Sequence, residues 1–264
     1  MESALHQLVG RVERALDAGQ YEVGVFLDVQ DAFDSTPTVS VLKALSERKI
    51  IFAVRQWISM LLQQCKVCVC VRVGDLLLYV ITKCGLPQGG GLSPLLWSLV
   101  ADSLLKWLSK QGVFAQGFAD DGVIIIVGKV LHILSDIMQR MLRGVQKWCS
   151  DRHLSVNPSK TETILFTRKY TPETIRSIYF YEKELELCNQ IKYLGVILDP
   201  KLSSKLHIEA SFHQLRKSVG STWGLTPKVT RWMYAGIIRL SLIKQLWCGG
   251  LELNSKLQDS NWNT

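Results

Sequence analysis

The chain has 264 residues, of which 47% are hydrophobic, so it can bury a sizeable core and is not a largely disordered protein. Its formal net charge of +8 favours a polyanionic partner, although a mildly basic balance alone decides little. We find no window of about eighteen apolar residues, and therefore expect no membrane span. The first residues form an amphipathic segment, which predicts no secretion signal, an intracellular location and reduced cysteines.

The predicted elements mix helices with short strands. Apolar residues at helical spacing predict a helix from Leu5 to Leu16, and the apolar run 23–28 predicts a strand that ends at Asp28, before a turn region over 30–37. Further helices are predicted at 39–45, 51–62, 92–108, 131–149, 203–222 and 227–246. Further strands are predicted at 67–73, 76–82, 113–118, 123–127, 162–167, 176–181, 184–188 and 191–198. This order predicts an α+β fold, an antiparallel sheet with helices on one face.

Some of the seven cysteines are spaced as in structural zinc sites. Cys65, Cys68 and Cys70 lie close together, and Cys84 follows shortly after. However, Cys68 and Cys70 alternate with valines as in a strand, and neither a second Cys-x-x-Cys pair nor a paired histidine follows. We therefore favour a strand here and keep zinc as the alternative.

Three aspartates are the candidates for chemistry. Asp120 and Asp121 are adjacent at a predicted turn between two apolar strands, and Asp28 ends another strand. Neighbouring buried anions lose hydration and repel each other, so a cation is expected to offset that cost. The three carboxylates could hold two Mg²⁺ ions about 3.5–4 Å apart, an arrangement used for phosphoryl transfer. For the adjacent pair alone, ordinary turn aspartates are the alternative.

Five motifs occur in a fixed order along most of the chain. Phe118–Asp121 contains the adjacent aspartates, and the other motifs are Phe26–Asp34, Gly85–Leu96, Trp148–Phe166 with Leu154–Glu162 within it, and Ile191–Asp199. In this order they resemble the reverse transcriptases of non-LTR (LINE-type, jockey-like) retrotransposons. The resemblance implies a polymerase palm with a ferredoxin-like core and a remnant of the fingers over 1–199, a helical thumb over 200–247 and a disordered tail over 248–264.

The resemblance also implies roles for individual residues. Asp28 and Asp120 would hold two Mg²⁺ ions, with Mn²⁺ as an alternative, beside Asp121 as a third carboxylate and the backbone carbonyl of Val29. Contacts to the incoming nucleotide are implied for Phe33 as a steric gate against the 2′-hydroxyl, for Gln88 and Gly89, and for Lys160 near the pyrophosphate. Contacts to nucleic acid are implied for Tyr193, Leu194 and Gly195 in a primer-grip strand and for Arg216, Lys217, Lys228 and Arg231 in the thumb.

The same residues have plainer interpretations without the resemblance. Phe33 would be a core aromatic, the Gly-rich loop an ordinary turn and Lys160 a solvated lysine. Only one predicted helix precedes the strand that ends at Asp28, so we expect most of the fingers to be missing. Two functions follow: an RNA-directed DNA polymerase that uses an RNA template, a DNA primer and dNTPs, implied to act in the nucleus, or a truncated, inactive nucleic-acid-binding relic.

Overall fold

The computed structural model describes residues 2–64, 68–73, 76–81, 85–87, 89–169, 175–203, 206–207 and 209–210. Within the predicted helix 203–222, residues 206–207 and 209–210 are helical. The rest of that helix, the helix predicted at 227–246 and the tail predicted at 248–264 lie outside the described residues. The same holds for the four thumb residues Arg216, Lys217, Lys228 and Arg231.

Six helices and ten strands are assigned in the described part of the chain. The helices are α1 (Glu2–Asp17), α2 (Ala32–Ser35), α3 (Thr38–Glu47), α4 (Phe52–Gln64), α5 (Ser93–Lys110) and α6 (Leu131–Arg152). The strands are β1 (Tyr21–Asp28), β2 (Cys68–Val73), β3 (Leu76–Ile81), β4 (Phe114–Phe118), β5 (Asp121–Gly128), β6 (Glu162–Phe166), β7 (Ile178–Phe180), β8 (Lys183–Leu185), β9 (Ile191–Tyr193) and β10 (Val196–Leu198).

Two predicted elements differ from the structure. The single strand predicted over 191–198 is a hairpin, because Leu194 and Gly195 both have positive φ angles (48° and 83°) and reverse the chain between β9 and β10. Two successive positive φ angles are typical of a tight two-residue hairpin turn. The turn region predicted over 30–37 contains the short helix α2.

Four strands form the central sheet in the order β4-β5-β1-β6, and every neighbouring pair is antiparallel. In chain order these strands follow a β-α-β-β-α-β pattern, in which α6 connects β5 to β6. That pattern and strand order are those of a ferredoxin-like core. The predicted mixed fold with an antiparallel sheet is therefore confirmed.

The two faces of this sheet pack against different elements, because successive side chains of a strand point to opposite faces. We call one the helical face; Leu27 and Ile124 lie on it and pack with residues of α5 and α6. We call the other the carboxylate face; Phe26 and Val123 lie on it and pack with α1 and the β9–β10 hairpin. Helices were expected on one face only, and this expectation was wrong because α1 buries an apolar stripe on the second face. The stripe consists of Leu5, Leu8, Val9, Val12 and Leu16.

A separate hairpin contains two of the cysteines considered for zinc. Cys68 lies opposite Ile81 and Cys70 opposite Tyr79 in the β2–β3 pairing, as the alternation with valines predicted. The side chains of this hairpin, together with Cys65 and Cys84, lie outside the described residues, so the zinc alternative stays open. Among the helices that the structure describes, none combines the length and the apolar composition needed to cross a bilayer.

Candidate active site

Asp28 and Asp121 lie directly opposite each other at one end of the sheet. Asp28 is the last residue of β1, Asp121 is the first residue of β5, and the two form the terminal pair of the β1–β5 register. Opposed residues of an antiparallel pair share a face. Two positions further along, the same register pairs Phe26 with Val123, both on the carboxylate face, so both aspartates lie on that face as well. The sequence placed these residues on different strands, and the sheet brings them together.

Asp120 lies in the two-residue turn that joins β4 to β5. Phe118 and Asp121 pair across the turn, which Ala119 and Asp120 form. Ala119 has a φ of 53°, the left-handed region that non-glycine residues seldom adopt. The backbone carbonyl of Asp120 accepts a hydrogen bond of 3.2 Å from the N–H of Val29, which ties the turn to the end of β1. The three aspartates therefore share one small region.

The electrostatics of the site show that the three carboxylates influence one another. Burial raises the pKa of Asp121 above its ordinary value, and the negative charges of Asp120 and Asp28 raise it further. Lys160 offsets part of this charge, because its Nζ lies 3.1 Å from Oδ2 of Asp28. Like charges held this close favour an arriving cation, since a cation removes their mutual repulsion.

The three carboxylates offer oxygen ligands that suit a Mg²⁺ ion whose remaining ligands come from a bound substrate and water. In the described part of the chain, no group of three or more His, Cys, Asp or Glu side chains is arranged to hold an ion. Mg²⁺ commonly uses one or two carboxylates and completes its octahedral shell with water and substrate phosphates. The opposed pair of Asp28 and Asp121, with Asp120 beside them, fits that pattern.

Val29 was predicted to contribute its backbone carbonyl. Val29 forms an isolated antiparallel bridge with Val156. The hydrogen bonds of this bridge are made by the residues on either side of Val29 and Val156. The N–H of Asn157 donates to the carbonyl of Asp28, and the N–H of Gln30 donates to the carbonyl of Ser155. The fourth motif is thereby fixed beside the end of β1, which explains why Lys160 reaches Asp28.

Phe33 lies in α2, five residues after Asp28, and its side chain is half-buried. Its ring centroid is 6.3 Å from that of Trp97 in α5. Its backbone carbonyl accepts a hydrogen bond of 2.6 Å from the N–H of Leu86. A pocket of about 280 Å³ lies between α2, α5 and the turn formed by Ala119 and Asp120, and Phe33, Trp97 and Ala119 contribute to its lining. Phe33 therefore lines a pocket that also borders Ala119, the residue before Asp120, and it packs against the core as well.

The Gly-rich loop packs closely on the segment that carries Phe33. Gly85 has a φ of 112°, and a Cβ added there would lie 2.8 Å from the carbonyl oxygen of Asp34. Gly89 is exposed, has a φ of 77° and has open space where a Cβ would point. Glycine permits both conformations and the close backbone approach at Gly85. Gln88, predicted to contact the nucleotide, lies outside the described residues.

The predicted primer grip is the turn of the β9–β10 hairpin. Gly195 is exposed and Leu194 is half-buried, whereas Tyr193 is buried with its ring 5.1 Å from that of Phe26. Burial raises the pKa of Tyr193 to about 12, and the negative charge of Asp121 contributes to this shift. Tyr193 thus packs on the carboxylate face, where the charge of Asp121 acts on it, while Gly195 of the turn and Lys192 beside it are exposed.

One residue of the site was missed at the level of the sequence. Trp97 lies in α5, is 3% exposed, and donates a hydrogen bond of 2.6 Å from its indole Nε1 to the carbonyl of Ala119. The only sequence signal was its position, four residues after the start of the helix that follows the Gly-rich loop. A buried aromatic in an apolar helix gave no indication of a polar contact with the Ala119–Asp120 turn.

An antiparallel ferredoxin-like sheet with opposed carboxylates at the end of its two central strands, β5 and β1, agrees with one class of protein: a polymerase palm. The profile of the reverse transcriptase (RNA-dependent DNA polymerase) family matches residues 2–198. The chain belongs to this family, as the five motifs predicted.

Relatives from insect transposable elements match over nearly the whole chain. A probable RNA-directed DNA polymerase from transposon BS of Drosophila melanogaster is 25% identical over 98% of this chain and 29% of its own length. The RNA-directed DNA polymerase from the mobile element jockey of Drosophila funebris is 24% identical over 90% of this chain and 25% of its own. The chain therefore spans only about a quarter of the length of these curated relatives, and the jockey-like assignment is confirmed.

A solved structure supports the fold. Telomerase from Candida tropicalis, in complex with a fragment of telomeric RNA, matches 97% of this chain and 43% of its own chain, with a TM-score of 0.51 and 12% identity. At this identity the similarity concerns the fold alone, and it agrees with the mixed architecture built on an antiparallel sheet.

Proposed function

We propose that this chain carries the catalytic palm of an RNA-directed DNA polymerase, which transfers a nucleotidyl group from a dNTP to a primer 3′-hydroxyl. The observation that carries the proposal is the register of β1 and β5, which opposes Asp28 to Asp121 with Asp120 beside them. Membership of the reverse transcriptase family and the names of the transposon relatives support the same reaction. The substrates would be an RNA template, a DNA primer and dNTPs.

The carboxylates would act as the metal-holding groups. Asp28 and Asp120 would hold two Mg²⁺ ions, for which Mn²⁺ could substitute, with Asp121 and the carbonyl of Val29 as additional oxygen donors. When bound, such ions lower the pKa of the attacking hydroxyl and neutralise charge on the phosphates and the leaving pyrophosphate. Lys160 neutralises Asp28 in the described structure, and its side chain is 68% exposed, so it is free to turn toward nucleotide phosphates.

The residues around the carboxylates would position the substrates. Phe33 borders the pocket beside the catalytic turn, so its ring would exclude a ribose 2′-hydroxyl and select deoxynucleotides. Gly89 leaves open space in which a base or sugar could approach the loop backbone, and Gln88 is adjacent to it. The accessible turn of Leu194 and Gly195, supported by the buried Tyr193, would grip the primer.

Duplex binding would involve the segment that follows the palm. We assign the palm to residues 1–199, a helical thumb to 200–247 and a tail to 248–264. The thumb residues proposed to neutralise backbone phosphates are Arg216, Lys217, Lys228 and Arg231.

Primer extension tests the proposal. The chain, incubated with poly(rA), oligo(dT), dTTP and Mg²⁺, is expected to extend the primer, and Asp120→Asn is expected to abolish extension because it removes a metal-ligand charge. Asp136→Asn is the matched control, since Asp136 lies on α6 in a solvent-exposed ion pair with Arg176, a kind of pair that contributes little stability. This control should extend as the wild type does.

Two results would contradict the proposal in different ways. Normal synthesis by Asp120→Asn would refute the two-metal assignment. No extension by wild-type protein that circular dichroism shows to be folded would identify an inactive relic, and binding of the poly(rA)/oligo(dT) duplex would then be measured by fluorescence anisotropy.

A further inference from the structure

A buried tryptophan connects the helix behind the site to the backbone of the catalytic turn. The indole N–H of Trp97 donates to the carbonyl of Ala119 at 2.6 Å, one residue before Asp120. The next carbonyl of the turn, that of Asp120, accepts from the N–H of Val29. Two successive carbonyls are therefore held from opposite sides, one by α5 and one by the end of β1.

The turn requires such support because its backbone is in an uncommon conformation. Ala119 has a φ of 53°, in the left-handed region that is unfavourable for residues other than glycine. Conformations of this kind persist where the surroundings over-determine them, and they cluster at functional sites. Without the indole hydrogen bond, the turn would be held to its neighbours by fewer contacts, and Asp120 and Asp121 would sample other positions relative to Asp28.

The same tryptophan contacts the residue proposed as the steric gate. The rings of Trp97 and Phe33 are 6.3 Å apart with an interplanar angle of 47°, and both residues line the pocket beside the turn. Trp97 itself is 3% exposed, so solvent competes little for its N–H. One rigid side chain thus touches the catalytic turn through its N–H and the gate through its ring.

We propose that Trp97 is a positioning residue, which fixes the Asp120–Asp121 turn against Asp28 and against the ring of Phe33. The proposal rests on the proposed function, because the geometry it protects is that of the metal-holding carboxylates. Phenylalanine at this position would keep the aromatic packing and lose the hydrogen bond. The Trp97→Phe substitution therefore measures the effect of the indole N–H separately from that of the aromatic ring.

Trp97→Phe is compared with Trp148→Phe. Trp148 lies in α6 and donates a similar indole hydrogen bond, 2.8 Å to the hydroxyl of Ser103 in α5. It lines a pocket together with Asp120 and Asp121, but its indole hydrogen bond is to α5 and not to the Ala119–Asp120 turn. Both variants lose one buried or half-buried indole hydrogen bond, so a general loss of stability affects both. We expect Trp97→Phe to bind Mn²⁺ several-fold more weakly by electron paramagnetic resonance and to extend a primer roughly 10–100-fold more slowly, since displacements near 1 Å can cost that much.

The primer–template affinity of both variants is expected to stay within about twofold of the wild type, and Trp148→Phe should keep its Mn²⁺ affinity and extension rate. Equal Mn²⁺ affinities in the two variants would overturn the proposal. If wild-type protein does not extend a primer, the proposed function of the chain fails, while the comparison of Mn²⁺ affinities still decides the role of Trp97.

A measurement on the wild-type protein covers the case in which Trp97→Phe does not fold. In a ¹⁵N-labelled sample with assigned tryptophan signals, the indole N–H of Trp97 should exchange slowly with solvent and shift when Mg²⁺ is added. The indole N–H of Trp148, which bonds to Ser103 and not to the Ala119–Asp120 turn, should shift less than that of Trp97. A Trp97 signal that Mg²⁺ leaves unchanged would overturn the proposal.

Discussion

The helical face and the carboxylate face of the central sheet differ in the elements that cover them and in the side chains that they bury. The helical face is sealed by long helices, and Gly144 of α6 approaches α5 so closely that an added Cβ would overlap the ring of Trp107. In the described part of the chain, the carboxylate face packs mainly against α1 and the β9–β10 hairpin, and Asp28, Asp120 and Asp121 lie at its end. Apolar packing on one face supplies the rigid base on which charged groups can be held together on the other.

The carboxylate face also contains a charge that its cover does not satisfy. Glu22 of β1 is 0% exposed, and neither of its carboxylate oxygens has a hydrogen-bond partner in the described part of the chain. Burial raises the pKa of Glu22 to about 7, and the charge of Arg11 only partly opposes this shift.

The largest expected effect concerns Phe33, which packs against the core of the helical face and lines a pocket with Ala119 of the turn before Asp121. Phe33→Ala should relax discrimination against ribonucleotides by about 100-fold, because the ring that would clash with a 2′-hydroxyl is gone and a clash of this kind is worth a few kcal/mol. The measurement is the ratio of kcat/KM for dTTP and UTP in primer extension. Phe52→Ala, which removes an exposed ring on α4, is the control. Unchanged discrimination would assign Phe33 to the core alone.

The next effect is on the pH dependence of stability. Because the pKa of Glu22 is raised from 4.5 to about 7 in the folded chain, its contribution is fully present below pH 4.5 and is lost as the pH rises through 7. Glu22→Gln should therefore stabilise the protein at pH 8 by about 2–3 kcal/mol and flatten the stability between pH 5 and 8. Urea unfolding at several pH values measures this.

The corresponding control for Glu22→Gln is Glu184→Gln, an exposed carboxyl in β8. This substitution should leave the free energy of unfolding unchanged at every pH. A wild-type protein whose stability does not fall between pH 5 and 8 would show that Glu22 stays charged and is stabilised by groups other than those described.

The smallest effect tests the close packing of the helical face. Gly144→Ala should destabilise the protein by about 1–2 kcal/mol, because overpacking against Trp107 outweighs the gain in helix propensity. Gly10→Ala is the matched control in α1, where nothing lies within 4 Å of an added Cβ, and it should stabilise by up to about 1 kcal/mol. Thermal unfolding followed by circular dichroism compares the two; equal shifts would mean that α5 and α6 separate easily.

The sequence by itself determined the elements and the chemical groups of the site. Apolar periodicity located α1, α5 and α6 because the buried stripe of a helix repeats every three to four residues, a local property of the chain. The motifs around Asp28 and Asp120 identified the family because a motif is defined by residue types and their order along the chain, and both can be seen without the structure. The hairpin of β9 and β10 was predicted as one strand. Its turn needs positive φ angles at Leu194 and Gly195, and leucine is not a residue from which a positive φ angle is predicted.

Only the tertiary structure decided which groups meet. The register of β1 against β5 opposes Asp28 to Asp121, and a shift of one residue would have turned one of them to the other face. The placement of α1 on the carboxylate face, the ion pair of Lys160 with Asp28 and the hydrogen bond from Trp97 to Ala119 join residues far apart in the chain. Such contacts arise from packing between distant elements, which local sequence patterns do not encode.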